Sequence, residues 1–322
     1  MSEINKSLHS VAAFAPATCA NVAVGFDILG FAYESIGDQV TLIKRDDKKI
    51  IIESIESSDD LPLATHKNTA SIVVEQLCRT LDLNLGFSIH IKKGIPLCSG
   101  MGGSAASAVA ALVACNRFLA SPLSINELAD FAFLGEQAVS GEGHFDNIIP
   151  CLFGGLTLIQ FPKNSSGVKV HKLPIPKLYS VLVYPHLRVA TQQARKVLKK
   201  EIPLKDYVQQ SAKLATFIAA LYENDYSLLG DSLDDLLIEP QRAQFIPGFY
   251  EIKEAALKAG ALGMSFSGSG PALFAFTPTL EKAKLVRDAM CNALQKRKIA
   301  SDCWISPISQ KAAEVVKENH YV

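Results

Sequence analysis

The sequence predicts an α+β protein in two domains, and three observations carry that reading. Strand-like and helix-like stretches alternate through the first half of the chain. A cluster of Pro, Gly, Asn and Ser interrupts the alternation at 161–177, and apolar strands and helical patterns resume beyond it. The division falls near residue 165, giving domains over 1–165 and 166–322. With 322 residues, 48% hydrophobic and 20% charged, the chain can bury a large core.

The first strands are expected at 11–15, 49–54 and 87–91; in the last, Phe87, Ile89 and Ile91 share one face. Helical spacing over 69–81 follows Asn68, a residue suited to cap it. An Ala-rich helix is predicted at 104–119. Another is expected at 124–139, where Ser124 followed by Glu127 forms a capping-box pattern. Pro162, Asn164, Ser165, Ser166, Gly167, Pro174 and Pro176 mark the junction as a loop. An apolar strand at 179–184 opens the second half. Helices at about 206–223, 226–238, 248–259 and 280–297 and strands near 271–277 and 302–306 follow.

Charge and cysteine usage exclude several classes. Lys and Arg total 32 and Asp and Glu total 32, so no basic excess favours nucleic acid. No apolar run reaches the length of a membrane helix, and the first residues carry no basic stretch leading into an apolar block. Seven scattered cysteines without a CxxC pair speak against structural zinc or a disulfide framework. The expectation is a cytoplasmic protein without membrane or nucleic-acid partners.

Three segments carry chemistry. Gly94-Ile-Pro-Leu-Cys-Ser-Gly-Met-Gly-Gly-Ser104 joins a predicted strand to the Ala-rich helix. Free N–H groups and the positive dipole end at such a helix start favour an anion, above all phosphate. Ser104 can cap the helix or offer its hydroxyl to a phosphate-bound metal. The loop is neither a Walker A motif nor a dinucleotide fingerprint, and taken alone it is equally a tight turn. Ala15-Pro-Ala-Thr-Cys-Ala-Asn21-Val-Ala-Val-Gly25-Phe-Asp27-Ile-Leu-Gly30 sets two polar residues, Asn21 and Asp27, among small and apolar neighbours. An ionised Asp there needs a hydrogen bond or a cation. The third segment, Ser265-Phe-Ser-Gly-Ser-Gly-Pro-Ala-Leu-Phe-Ala-Phe276, runs from a serine–glycine loop into an apolar strand. A hairpin turn is an equal reading of it.

Together, in this order and spacing, the three segments resemble the motifs of the small-molecule kinase family that includes galactokinase, homoserine kinase and mevalonate kinase. The resemblance runs from about residue 12 to 277. It implies an N-terminal domain like the second domain of ribosomal protein S5, a ferredoxin-like C-terminal domain, and an ATP and substrate site between them. ATP would lie over Pro96, Leu97, Cys98, Ser99, Gly100, Met101, Gly102, Gly103, Ser104, Ala105 and Ala106, with Asn68 and Lys93 as adenine or ribose neighbours. The family commonly shows Gly-Leu-Gly-Ser-Ser; here Met101 and Gly103 replace the Leu and the first Ser.

The segment from Glu136 through His144, Asp146 and Asn147 to Gly155 is similar to the homoserine-phosphorylating branch of that family. Thr191-Gln-Gln-Ala-Arg195 and Glu239-Pro-Gln-Arg242 support that branch. The substrate so implied is L-homoserine, in a step of threonine biosynthesis. An α-amino acid needs a cation for its carboxylate, and arginine's planar fork suits that task. By resemblance, Arg195, Arg242 and Thr191 take the carboxylate. Asn21, Asp27, His144 and Asp146 would surround the amino and hydroxyl groups, and Ser104 and Glu136 would hold Mg2+. Related kinases have an aspartate base where this chain has Asn147, which implies catalysis without a protein base. The resemblance suggests a homodimer. Two alternatives stay open: a relative acting on another alcohol, such as mevalonate or a sugar, and a nucleotide binder without catalysis.

Overall fold

Two sheets organise the chain, and the cleft lies where the loops between them meet. The computed structural model describes residues 4–57, 61–141, 143–163 and 167–321. The first half runs β1 (Leu8–Ala20), β2 (Leu29–Arg45), β3 (Ile50–Glu56), α1 (Thr69–Thr80) and β4 (Gly86–Lys92). It continues through α2 (Gly103–Asn116), α3 (Ile125–Ser140), α4 (Phe145–Phe153), β5 (Leu156–Gln160) and β6 (Lys169–Leu173). The second half comprises β7 (Tyr179–Pro185), α5 (Thr191–Lys196), α6 (Leu204–Glu223), α7 (Tyr226–Ser232) and α8 (Glu239–Arg242). It ends with α9 (Phe249–Lys258), β8 (Gly263–Phe266), β9 (Leu273–Thr277), α10 (Leu280–Lys296), β10 (Ser301–Pro307) and β11 (Glu314–His320).

Local signals start the helices as expected. Asn68 Oδ1 accepts from Ala70 N at 3.0 Å to cap α1, and Ser124 with Glu127 closes a capping box on α3. Ala-rich α2 is buried almost all round, because small side chains let it approach β1, β2, α1 and α3 closely. Phe87, Ile89 and Ile91 of β4 all face this core.

The first sheet has the order β11-β1-β2-β4-β3, with β5 added to β2 and β6 to β5; β3 and β4 pair in parallel. The second is antiparallel with the order β10-β7-β9-β8, and its chain path is the β-α-β-β-α-β of ferredoxin-like folds. Aromatic rings fasten one sheet to the other: Phe31 of β2 lies 6.0 Å from Phe274 and 5.3 Å from Phe276 of β9, all buried. Burying one such ring stabilises by about 1.5–3 kcal/mol.

Two expectations need correction. The sheets do not part at residue 165: β6 and β11, both beyond it, pair with β5 and β1 of the first sheet. The proline-rich surroundings and the mostly polar Lys-Val-His-Lys-Leu pattern of an edge strand obscured β6. Asn164, Ser165 and Ser166 lie outside the described residues. The helix expected over 226–238 ends at Ser232, because the Asp235 carboxylate accepts from the N–H groups of Leu237, Ile238 and Glu239 and starts a new turn, α8. No helix among the described residues is long and apolar enough to cross a membrane.

Candidate active site

The glycine loop between β4 and α2 forms the floor of a cleft of about 350 Å3. Gly100 and Gly102 have φ of +79° and +71°, a region that disfavours side chains. A Cβ at Gly102 would collide with Thr18 Oγ1 and sit 2.9 Å from Asn147 Oδ1. The first intrahelical bond of α2 runs from Ala106 N to Gly102 O at 2.8 Å. The N–H groups of Gly103, Ser104 and Ala105 therefore lack helical acceptors, the arrangement of a helix start that suits an anion. The Ser265–Phe276 segment locks onto this loop. Ser267 Oγ donates to Gly100 O at 2.9 Å, and Ala272 N donates to Ser99 O at 2.9 Å.

A buried ion pair props the loop from below. Lys93 Nζ meets Asp38 Oδ2 and also donates to Gly103 O at 2.9 Å and Ser107 Oγ at 3.0 Å. Asp38, fully buried, accepts from Gly94 N and Ile95 N, both at 3.1 Å, and from Ser107 Oγ at 2.7 Å. Both flanks of the loop are thus held by one carboxylate. The three ammonium N–H groups of Lys93 are engaged within the protein, while the residue also lines the cleft.

Across the cleft lies a dense set of charges. Arg195 on α5 pairs with Asp27, while Arg242 on α8 donates from Nε to Ala194 O at 3.2 Å and from Nη1 to Gly268 O at 2.9 Å. Both guanidinium carbons stand 5.4 Å from the centroid of Phe26, whose π face eases the approach of two like charges. Burial pulls the Arg242 pKa down to about 10, and Arg195 adds to the effect. Asp146, buried on α4, is pushed up to about 7, first by burial and then by the Asp27 charge, against the pull of Arg195 and Arg242. Asn21, Val22, Ala23 and Asp27 all adopt positive φ, a strained path that the Asn21 amide spans. Its Nδ2 donates to Gly268 O and its Oδ1 accepts from Asp27 N, each at 2.9 Å.

Glu136 of α3 and Ser104 of α2 face each other at the loop. Burial raises the Glu136 carboxyl above the usual carboxylate range, while the Ser104 hydroxyl and the Lys93 charge pull it back. Ser104 Oγ also lies 3.4 Å from Thr69 Oγ1. Asn147 follows Asp146 on α4, and its Oδ1 accepts from Thr18 Oγ1 at 2.8 Å.

The cleft brings together Asn21, Asp27, Asn68, Lys93, Glu136, His144, Asp146, Asn147, Thr191, Arg195 and Arg242 with loop residues 96–100 and 102–105. Met101 and Ala106 are the exceptions. Both are fully buried in the core, and the Ala106 N–H is already used within α2, so neither lines the cleft. Asn68 lines it while capping α1. Sequence reasoning missed Asp38, Phe26, Thr18, Thr69, Ser107 and Ser269. A signal existed for Ser269, in the serine–glycine loop; Asp38 sits in a mixed run between Glu34 and Gln39 that does not mark it. The others acquire partners only through folding.

Residues 68–155 match the family described as "GHMP kinases N terminal domain", and residues 217–296 match "GHMP kinases C terminal". A glycine loop opening a helix and facing a charged seat across this two-part fold is accordingly that of a GHMP kinase, an enzyme of the ATP-dependent class. A homoserine kinase of Chloroherpeton thalassium is 43% identical over 96% of this chain and 100% of that protein. One of Xylella fastidiosa (strain M12) is 41% identical over 98% and 97%. The crystal structure of homoserine kinase from Cytophaga hutchinsonii matches with a TM-score of 0.91 at 42% identity, covering 95% of this chain and 97% of that one. L. major mevalonate kinase in complex with R-mevalonate shares the fold, with a TM-score of 0.72 at 17% identity over 97% and 100%. Within the GHMP kinases, the chain belongs to the homoserine kinase family.

Proposed function

We propose that this chain transfers the γ-phosphoryl group of ATP to the side-chain hydroxyl of L-homoserine, giving O-phospho-L-homoserine and ADP in threonine biosynthesis. The observation that carries the reading is the juxtaposition of Arg195 and Arg242 with Asp27 and Asp146 opposite the phosphate loop. Cations and carboxylates in one seat suit a small zwitterion. Arg195, Arg242 and Thr191 receive the substrate carboxylate; Asp27 and Asp146 receive its ammonium, with Asn21 holding Asp27 in place. His144 lines the same seat, at the start of α4.

The glycine loop and the N–H groups of Gly103, Ser104 and Ala105 hold the ATP phosphates, with Asn68 at the nucleotide side. The donor set there fits Mg2+. Ser104 Oγ and a Glu136 carboxylate are hard oxygen donors, and Mg2+ commonly takes one or two carboxylates plus phosphate oxygens. Ser99 also leaves a buried hydroxyl without a hydrogen-bond partner among the described residues, beside the loop. When bound, the ion neutralises phosphate charge. The chain's own contribution is alignment and electrostatic stabilisation. Asn147 lies beside the acceptor hydroxyl. An amide cannot accept its proton, so the oxygen bonds to the γ phosphorus, the bond to the β,γ-bridging oxygen breaks, and the proton passes to the transferred phosphoryl group.

ADP release measured with homoserine, mevalonate, galactose and shikimate, with and without Mg2+, tests the reading. Homoserine is expected to be strongly preferred, and Mg2+ to be required. Preference for an alcohol without an α-ammonium group would overturn it, as would ATP binding without turnover of any alcohol.

A further inference from the structure

We infer that Thr18 is a positioning residue that fixes which face of the Asn147 amide meets the acceptor hydroxyl and ties that face to the phosphate loop. The inference rests on the reading of Asn147 as the group beside the acceptor.

An asparagine side chain presents an acceptor at one end and two donors at the other, and rotation by half a turn about its last bond exchanges them. A group that must aim at a reacting oxygen therefore needs something to choose between the two orientations. Thr18 and Asp146 make that choice together. A hydroxyl can serve either end of an amide, but Asp146 Oδ1, 3.5 Å from Nδ2, takes only the NH2 end and leaves Oδ1 for the Thr18 proton. The Thr18 hydroxyl donates to Asn147 Oδ1 at 2.8 Å, and Thr18 is fully buried, so no water competes for the proton. With Oδ1 held, Nδ2 is the end left for the cleft that Asn147 lines, 3.5 Å from Asp146 Oδ1. The acceptor hydroxyl thus meets a hydrogen-bond donor, which leaves a lone pair of its oxygen for phosphorus.

Thr18 is itself anchored to the nucleotide side. Its N–H donates to Met101 O at 3.1 Å, within the glycine loop. Gly102 packs so tightly against both side chains that a Cβ there would strike Thr18 Oγ1 and come within 2.9 Å of Asn147 Oδ1. One buried threonine near the end of β1 thus sets the acceptor-side amide against the loop that holds the departing phosphate. Its hydroxyl cannot reach substrate, because it lies beneath Asn147 with no exposed surface. The effect therefore passes through Asn147.

Steady-state kinetics of Thr18→Val, Thr18→Ser and Asn147→Ala, alone and with Thr18→Val combined with Asn147→Ala, test this. Thr18→Val keeps the shape and removes the donor. It is expected to lower kcat by about tenfold, the scale of losing alignment at a reacting centre, with both KM values within about twofold of wild type. Thr18→Ser restores the donor and is expected to recover most of kcat. In the Asn147→Ala background, Thr18→Val is expected to cost nothing further, because no amide remains to orient. An equal loss in both backgrounds, or a serine variant as poor as the valine one, would assign Thr18 a purely structural role and overturn the inference. If Asn147→Ala alone leaves kcat unchanged, the reading of Asn147 falls and the inference with it. Thermal melting accompanies each variant. Should Thr18→Val fail to fold, Thr18→Ala removes the same donor and is read by the same criteria.

Discussion

Arg195 and Asp27 meet fork to carboxylate: Nη2 lies 2.7 Å from Oδ1 and Nη1 lies 3.2 Å from Oδ2. An incoming zwitterion can exchange this one ion pair for two, its carboxylate going to Arg195 and its ammonium to Asp27. An anion without an ammonium would take Arg195 and leave Asp27 unpaired, a costly outcome in a partly buried site. On the proposed reading of the site, this resting pair would select amino acids over other alcohols.

Arg195→Ala is expected to weaken homoserine binding by about 1.5–3 kcal/mol, the scale of one charge-assisted contact, while leaving the ATP KM near wild type. Separate KM determinations for the two substrates check this. An unchanged homoserine KM would remove Arg195 from the substrate seat.

Asp146 links the site to pH. Its folded pKa of about 7 stands above the ordinary 3.8. Between those values the folded chain keeps a proton that the unfolded chain has released, so stability falls as pH rises. The contribution is fully present below the lower value and is lost progressively up to the higher one. Asp146→Asn abolishes this titration. The wild-type Tm minus the variant Tm is expected to decrease from pH 4.5 to pH 7.5, on the order of the window those two pKa values set. A difference constant with pH would contradict the assignment.

Glu136→Ala is expected to depress turnover and to shift the Mg2+ dependence to higher concentration, with homoserine binding little changed. Activity titrated with Mg2+ reads both effects. A titration curve identical to wild type would exclude the ligand role.

Removing the prop beneath the loop should cost stability as well as nucleotide affinity. Lys93→Met leaves Asp38 as an uncompensated buried charge, a change that typically destabilises by about 3–5 kcal/mol. Denaturant unfolding and ATP binding are expected to worsen together. Wild-type stability in this variant would show that the Lys93 charge is dispensable to Asp38.

The local features were legible in the sequence because their causes are local. Asn68 and Ser124 announced α1 and α3 through hydrogen bonds that span only two or three residues. The glycine loop announced a helix start, since glycines at 100 and 102 and the Ala-rich run after Ser104 are read directly from the chain. The resemblance carried the rest of the cleft, from Asp27 to Arg242. What stayed hidden depends on partners far along the chain. Asp38 becomes a prop only once Lys93 and Ser107 fold over it, and Phe26 becomes a platform only when α5 and α8 bring their arginines to it. Met101 in the loop and Ala106 on α2 looked like their neighbours, yet both side chains face the core. The Asp235 carboxylate broke a helical pattern that was otherwise continuous in hydrophobicity.

β11 pairs along β1, the strand that carries Thr18 and leads into Asn21. During synthesis, the nucleotide-binding half emerges long before the strand that covers this edge, and the whole ferredoxin-like unit is made in between. The half that emerges first therefore waits with an open strand edge, a surface prone to pairing with other chains. A chain cut just before Glu314 is expected to stay protease-sensitive along β1 and to aggregate on release, whereas adding the missing segment as a peptide should restore protection. Protection of β1 in the cut chain without the peptide would refute this order of assembly.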